Sequence, residues 1–185
     1  MPDPGDDAIL DATVLFPIVL CDLLLRCAEA ELFRPRWTAE ILDELERNVS
    51  VRIGERAARS RVERMRSFFT DATVVGYEWF LPSMTNEIKD RHVAAAAAAI
   101  QANVIVTQNL RDFPVWSMAP FGLRAQSADR FLCDLFTVAP VTLRRLMAEQ
   151  AAAYRRPSLT VAELTDLLAN HVPVFVTLLR REEVP

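Results

Sequence analysis

The chain has 185 residues, 51% of them hydrophobic, and a net charge of −4. That is enough for one domain with a small appendage, while 4 Gly and 11 Pro exclude a collagen-like or disordered chain. Two histidines argue against a His-based zinc site, and no uninterrupted stretch of about 18 apolar residues is available to span a membrane.

In chain order, the acidic start MPDPGDDA lacks the positive charge of a signal peptide. Residues 8–12 read as a short buried strand reaching Asp11. Asp11 interrupts apolar sequence, where an unpartnered charge would be costly. Leu15 to Glu31 is expected to be helical. Thr38 is a good N-cap for a helix running to about Asn48. The next helix, Gly54 to Phe69, is amphipathic and basic: from Arg47 to Arg66, seven arginines face only Glu55 and Glu63. This surface reads either as a solvated face or as an electrostatic track for RNA phosphates, with Arg52, Arg56 and Arg59 as candidates. Of 21 basic residues all but Lys89 are arginine, the residue that grips phosphate bidentately.

Ala72 to Gly76 reads as a strand and Glu78 to Glu87 as a loop. Asp90 opens a helix to Ala102 with six consecutive alanines, a surface that permits close approach. Val104 to Thr107 is short and wholly apolar up to Thr107, as a buried parallel strand is. Gly122 to Gln126 is the last expected strand, followed by a helix over Ala128 to Phe136. Residues 141–155, 160–170 and 172–181 read as helices. Thr160 and Glu163 form a capping box at the start of the second of them. Helices alternating with short buried strands make an α/β fold, here over 1–137, with an all-helical extension over 138–185. Cys21, Cys27 and Cys133 have no metal-binding spacing and read as reduced thiols of a cytoplasmic protein.

Open α/β sheets place their sites at the carboxyl ends of parallel strands. Asp11 ends the first strand, and Asp112 follows the VIVT strand in the loop NLRDFP. Taken alone, Asp90 reads as a charge complementing a helix dipole and Asp112 as a turn former. Together the carboxylates repel one another unless protons or cations intervene, and Mg²⁺ or Mn²⁺ would supply that charge.

The motifs ILDATVLF, ILDELERN, DRHVAAAA and VIVTQNLRDF together resemble the PIN-domain nucleases over most of residues 8–137. The likeness is greatest to the VapC-like branch whose members carry a helical C-terminal extension. The resemblance implies a three-layer fold with a short central parallel sheet between helices. It implies catalytic and metal-site acids at Asp11, Glu44, Asp90 and Asp112, with Thr13, Asn109 and Glu87 beside them. By periodicity Glu46 lies nearer the apolar face of its helix than Glu44, and Asp43 lies further away. The resemblance, not the helix pattern, selects Glu44. Lys89, in NEIKD, departs from the acidic family pattern. The activity implied is that of a type II toxin: Mg²⁺- or Mn²⁺-dependent hydrolysis of RNA by an activated water, leaving 5′-phosphate and 3′-hydroxyl ends. A VapB-like antitoxin and a homodimer are implied as partners.

Two other readings are weighed beside it. One is a PIN-like module that binds RNA or protein without cutting. The other is an aspartyl phosphatase of the haloacid dehalogenase type, which needs a second aspartate where this chain has Thr13. His92, two residues after Asp90, points away from it on a helix and reads as packed or capping. Trp37, Trp79 and Trp116 are available for base stacking, though core packing is the commoner role for tryptophan.

Overall fold

The computed structural model describes residues 5–181; residues 1–4 and 182–185, the outer ends of the two expected regions, lie outside the described residues. Four strands form one parallel sheet in the order β2-β1-β3-β4. They are β1 (Asp7–Leu10), β2 (Arg34–Arg36), β3 (Val104–Val106) and β4 (Ala125–Gln126). Ile9, Leu10 and the three residues of β3 have no exposed surface. Strands covered on both faces must be apolar throughout, which is why AIL and VIV stand out in the sequence.

The sequence reading misses β2, because Arg-Pro-Arg has no apolar period. Proline lacks a ladder donor and is tolerated on an edge strand, where β2 lies. Charge helps to hold this strand in register. Asp7 of β1 accepts hydrogen bonds from Arg34 at 3.1 Å and from Arg36 at 2.6 Å. Burial raises the Asp7 carboxyl, but the two guanidiniums outweigh it and hold the group below the usual carboxylate range. A carboxyl depressed on folding stabilises above its unfolded value, and that contribution is lost as pH falls through the folded one. Asp7→Asn is therefore expected to cost about 1 kcal/mol at neutral pH. The difference from wild type should vanish in urea melts taken well below pH 4; a constant difference would show that the ion pairs are not its source.

The helix expected over Leu15 to Glu31 is divided. Pro17, with an extended ψ of 115°, separates the single turn α1 (Ala12–Leu15) from α2 (Ile18–Glu29). In α3 (Ala39–Ile53), Thr38 accepts from the Ile41 amide, as expected of an N-cap. The helix continues past Asn48 because nothing breaks it before Gly54, whose φ of 83° suits glycine. Helix α4 (Glu55–Phe68) follows and packs along α3. The strand expected over 72–76 is reduced to one bridge between Thr73 and Trp37, and the chain turns away at Gly76, φ 75°.

A 3₁₀ turn, Ile88–Asp90, leads into α5 (Arg91–Ala99). Ala94 to Ala97 are fully buried, and α5 lies against β1 and β3. The last strand is shorter than Gly122 to Gln126, because Gly122 closes a left-handed turn at φ 68°. The short α6 (Val115–Met118) precedes it. Helices α7 (Ala128–Val138), α8 (Pro140–Ala153), α9 (Val161–Ala169) and α10 (Pro173–Arg181) complete the chain. The expected capping box at Thr160 and Glu163 is present. Helix α8 packs on α2 and α7, and α10 on α7 and α9. The three cysteines are buried free thiols. Among the described residues no helix is long and apolar enough to cross a membrane.

Candidate active site

The chain passes from β1 to β2 on one side, then crosses to β3 on the other. Adjacent strands whose connections diverge leave a crevice beyond their carboxyl ends. Asp11 and Thr107 are the first residues past β1 and β3, and both are buried. The Asp11 amide donates to Val106 O at 3.0 Å, tying the two strand ends together. Thr13 and Thr107 both donate to Asp11 Oδ2, at 2.6 and 2.7 Å. These bonds fix the carboxylate's rotation, and Oδ1 receives neither of them. The hydroxyls also accept from the next loop, Thr13 from the Gln108 amide at 3.1 Å and Thr107 from the Asn109 amide at 2.9 Å. Behind them the buried Arg61 of α4 donates to the carbonyls of Leu15 and Phe16, closing the end of α1.

The turn before α5 brings a second carboxylate to this place. Asp90 is 8% exposed, and its Oδ2 is buried without a hydrogen-bond partner. Burial pushes its carboxyl up to about 7; the charges of Asp11 and Asp112 push the same way, against the Lys89 ammonium. Asp112, half-buried on the turn Leu110–Asp112, is linked to Asp90 through Lys89 Nζ, 3.3 Å from Asp112 and 3.7 Å from Asp90. The Glu87 amide donates to the Asp112 carbonyl at 3.4 Å, so the two turns meet through backbone; the Glu87 side chain is exposed.

Of the three acids that helix periodicity leaves open, two are ion-paired. Asp43 pairs with Arg66 at 3.4 Å and Glu46 with Arg59 at 3.5 Å. Glu44 is half-buried and forms no ion pair among the described residues. Burial pulls the His92 imidazole down, while the negative charges of Glu40, Asp11 and Glu44 act in the opposite sense on the same ring. His92 Nδ1 lies 3.1 Å from Thr38 Oγ1, a packed histidine at the start of α3.

Of the arginine candidates, Arg52 stacks over the Phe16 ring at 4.8 Å and Arg59 is engaged by Glu46. Arg56 is exposed on α4 with no ion pair among the described residues. Trp37 is fully buried, whereas Trp79 and Trp116 are 87% and 67% exposed. Thr107 and Lys89 are the site neighbours that the residue pattern did not select. The threonine was visible as the polar end of VIVT, and the lysine as a departure from an acidic pattern.

Among the described residues no three carboxylate, imidazole or thiolate side chains stand together at ligand spacing. Mg²⁺ does not need such a cage: it is commonly held by one or two carboxylates, with water and substrate phosphate completing the shell. The donors here are hard oxygens, one is a buried orphan, and a protein cation already lies between two of the acids. The donor chemistry is thus that of a hard divalent cation, with Asp90 and Asp112 as the two carboxylates that one protein cation already bridges.

Comparisons with known proteins bear on the family of the chain. A PIN-domain model matches residues 7–111, and a VapC50 C-terminal domain model matches residues 128–181. A Mycobacterium tuberculosis (strain ATCC 25618 / H37Rv) protein named "Putative ribonuclease VapC50" is 37% identical over 112 residues, a match covering 60% of this chain and 66% of that protein. The match spans just under two thirds of the relative's length. No solved structure matches the chain. With more than half of its residues matched by the PIN-domain model and its last helices by the VapC50 C-terminal model, the chain belongs to the PIN-domain family, in the VapC-like branch with a helical C-terminal region.

Proposed function

We propose that the chain is a Mg²⁺- or Mn²⁺-dependent endoribonuclease, the toxin of a type II toxin–antitoxin pair. Its nuclease region is 1–137 and its helical extension 138–185. A VapB-like antitoxin is its partner, a homodimer its assembly and the cytoplasm its location. One observation carries the catalytic reading: a buried, unpartnered carboxylate oxygen on Asp90, in the field of Asp11 and Asp112, at the switch point of a parallel sheet.

Asp11, Asp90, Asp112 and Glu44 would hold the cation. A bound divalent ion lowers the pKa of water and offsets charge building on a phosphate. The chain's own contribution is rigidity. Thr13 and Thr107 hold Asp11 in one rotamer, so little reorganisation is needed when the phosphodiester arrives. Asn109 anchors the loop between Thr107 and Asp112 through its amide. The exposed Glu87 stands at the mouth, and Arg56 offers an unpaired guanidinium to the RNA backbone, with Arg52 and Arg59 nearby on α3 and α4. The phosphatase reading loses its acid/base residue, since position 13 supplies a hydroxyl bound to Asp11.

The test is cleavage of structured RNA with Mg²⁺ or Mn²⁺, with EDTA, and by Asp90→Asn. Wild type should cut only with metal, and the variant should be at least about a hundredfold slower. RNA binding without cutting under either metal would replace the nuclease by a binding module.

A further inference from the structure

Lys89 is the chain's single lysine. It sits on the turn that opens α5, directly before Asp90. Its ammonium is 3.3 Å from Asp112 Oδ2 and 3.7 Å from Asp90 Oδ2. Among the described residues it is the only cation forming an ion pair with either acid. The side chain is nevertheless 64% exposed, so its stem runs through solvent and is not locked by packing. Asp90 Oδ2, on the inner side of this contact, has no hydrogen-bond partner. An ammonium 3.7 Å away offsets charge without satisfying that oxygen's lone pairs.

We infer that Lys89 is an internal counter-ion of the acid pair, which holds Asp90 and Asp112 together without metal and is displaced when a divalent cation binds. The inference rests on the metal-dependent reading above. Two cations cannot share these oxygens at little cost. A unit charge left about 4 Å from a divalent ion repels it by more than about tenfold in affinity, even at the dielectric constant of water. The flexible four-carbon stem gives the ammonium a way out into solvent. Lys89 therefore raises the concentration of cation at which the site fills. An arginine at this position would keep the charge, whereas a methionine would keep the apolar stem and remove it.

Calorimetric titration of Mn²⁺ into the full chain, without RNA, tests this directly. Lys89→Met should bind Mn²⁺ about tenfold more tightly than wild type. Lys89→Gln should repeat the gain with a polar side chain, and Lys89→Arg should return to the wild-type value. Arg64→Met removes one exposed positive charge on α4 and should leave the affinity unchanged, so that net charge alone is not the cause. A structural role for Lys89 would weaken metal binding in all three of its variants, the opposite sign. Equal or weaker binding by Lys89→Met and Lys89→Gln overturns the counter-ion role and leaves the metal site standing. Absence of Mn²⁺ binding by wild type and both neutral variants overturns the metal-dependent reading, and the counter-ion with it.

Discussion

Asp11→Asn is expected to lower metal-dependent RNA cleavage on the order of a thousandfold, measured as kcat/KM, while leaving the protein folded. Asn keeps the shape and one carbonyl oxygen. That oxygen can go on accepting from Thr13 and Thr107, which now bond Asp11 at 2.6 and 2.7 Å. The amide NH₂ must then take the place of Oδ1. A negative acceptor becomes a neutral donor at the point where a cation would need an oxygen. The fold should tolerate the change, because Asp11 gives its helix no side-chain cap. Removing one of several mutually repelling carboxylates should also relieve the metal-free protein. In EDTA the melting temperature is expected to equal or exceed that of wild type, the usual sign of a site kept for function at a cost in stability. Asp43→Asn is the control, since Asp43 is exposed and engaged by Arg66. Retention of a tenth of the wild-type rate by Asp11→Asn would remove this residue from the chemistry.

Legibility in the sequence followed the range of the interactions involved. Strands β1 and β3 were visible because burial on both faces leaves a local trace, an unbroken apolar run. Strand β2 left none. Its Arg-Pro-Arg is a strand through a parallel ladder to β1, where Asp7, far back in the chain, is the partner of both arginines. The converse holds for 72–76, whose residues suit a strand but find only Trp37 to pair with. Pro17 divides the helix expected over Leu15 to Glu31, a break that shows only in the backbone. At the site, Asp11 was suspicious in isolation because of its apolar setting. Asp90 and Asp112 looked ordinary until the sheet order brought their turns together. Glu44 could not be separated from Asp43 and Glu46 by helix phase. What differs among them in the fold lies on the neighbouring helix, where Arg66 engages Asp43 and Arg59 engages Glu46. Thr107 needed the same kind of non-local knowledge, since its hydroxyl matters only because Asp11 ends the adjacent strand.

Phe175→Ala should destabilise the whole chain by about 3–5 kcal/mol, the range for deleting a buried aromatic ring. Phe175 lies on α10, in the helical extension, and has no exposed surface. Its ring meets Phe136 of α7 edge-on, with centroids 5.9 Å apart and planes at 81°. Its amide donates to Asp129 Oδ1 at 2.8 Å, and the Val174 amide donates to Oδ2 of the same carboxylate at 3.1 Å. A residue of α7 thus caps α10, satisfying donors that the helix start leaves open. Further along, Gln150 of α8 donates to the Val19 carbonyl of α2 at 2.9 Å. The last helices therefore join the rest of the chain at two places, and Phe175 shares one continuous core with Ile9 of the central strand. A cavity opened at Phe175 is expected to lower one cooperative transition, with helix and sheet signals lost together. Two separate transitions, with only the earlier one shifted, would make the last helices an independent unit. The same physics bears on where that unit begins. The VapC50 C-terminal model starts at residue 128, the first residue of α7, rather than after it. With α7 supplying both the cap and the facing ring for α10, a truncation at 137 would strip Phe136 and Asp129 of their partners, and should melt well below the full chain.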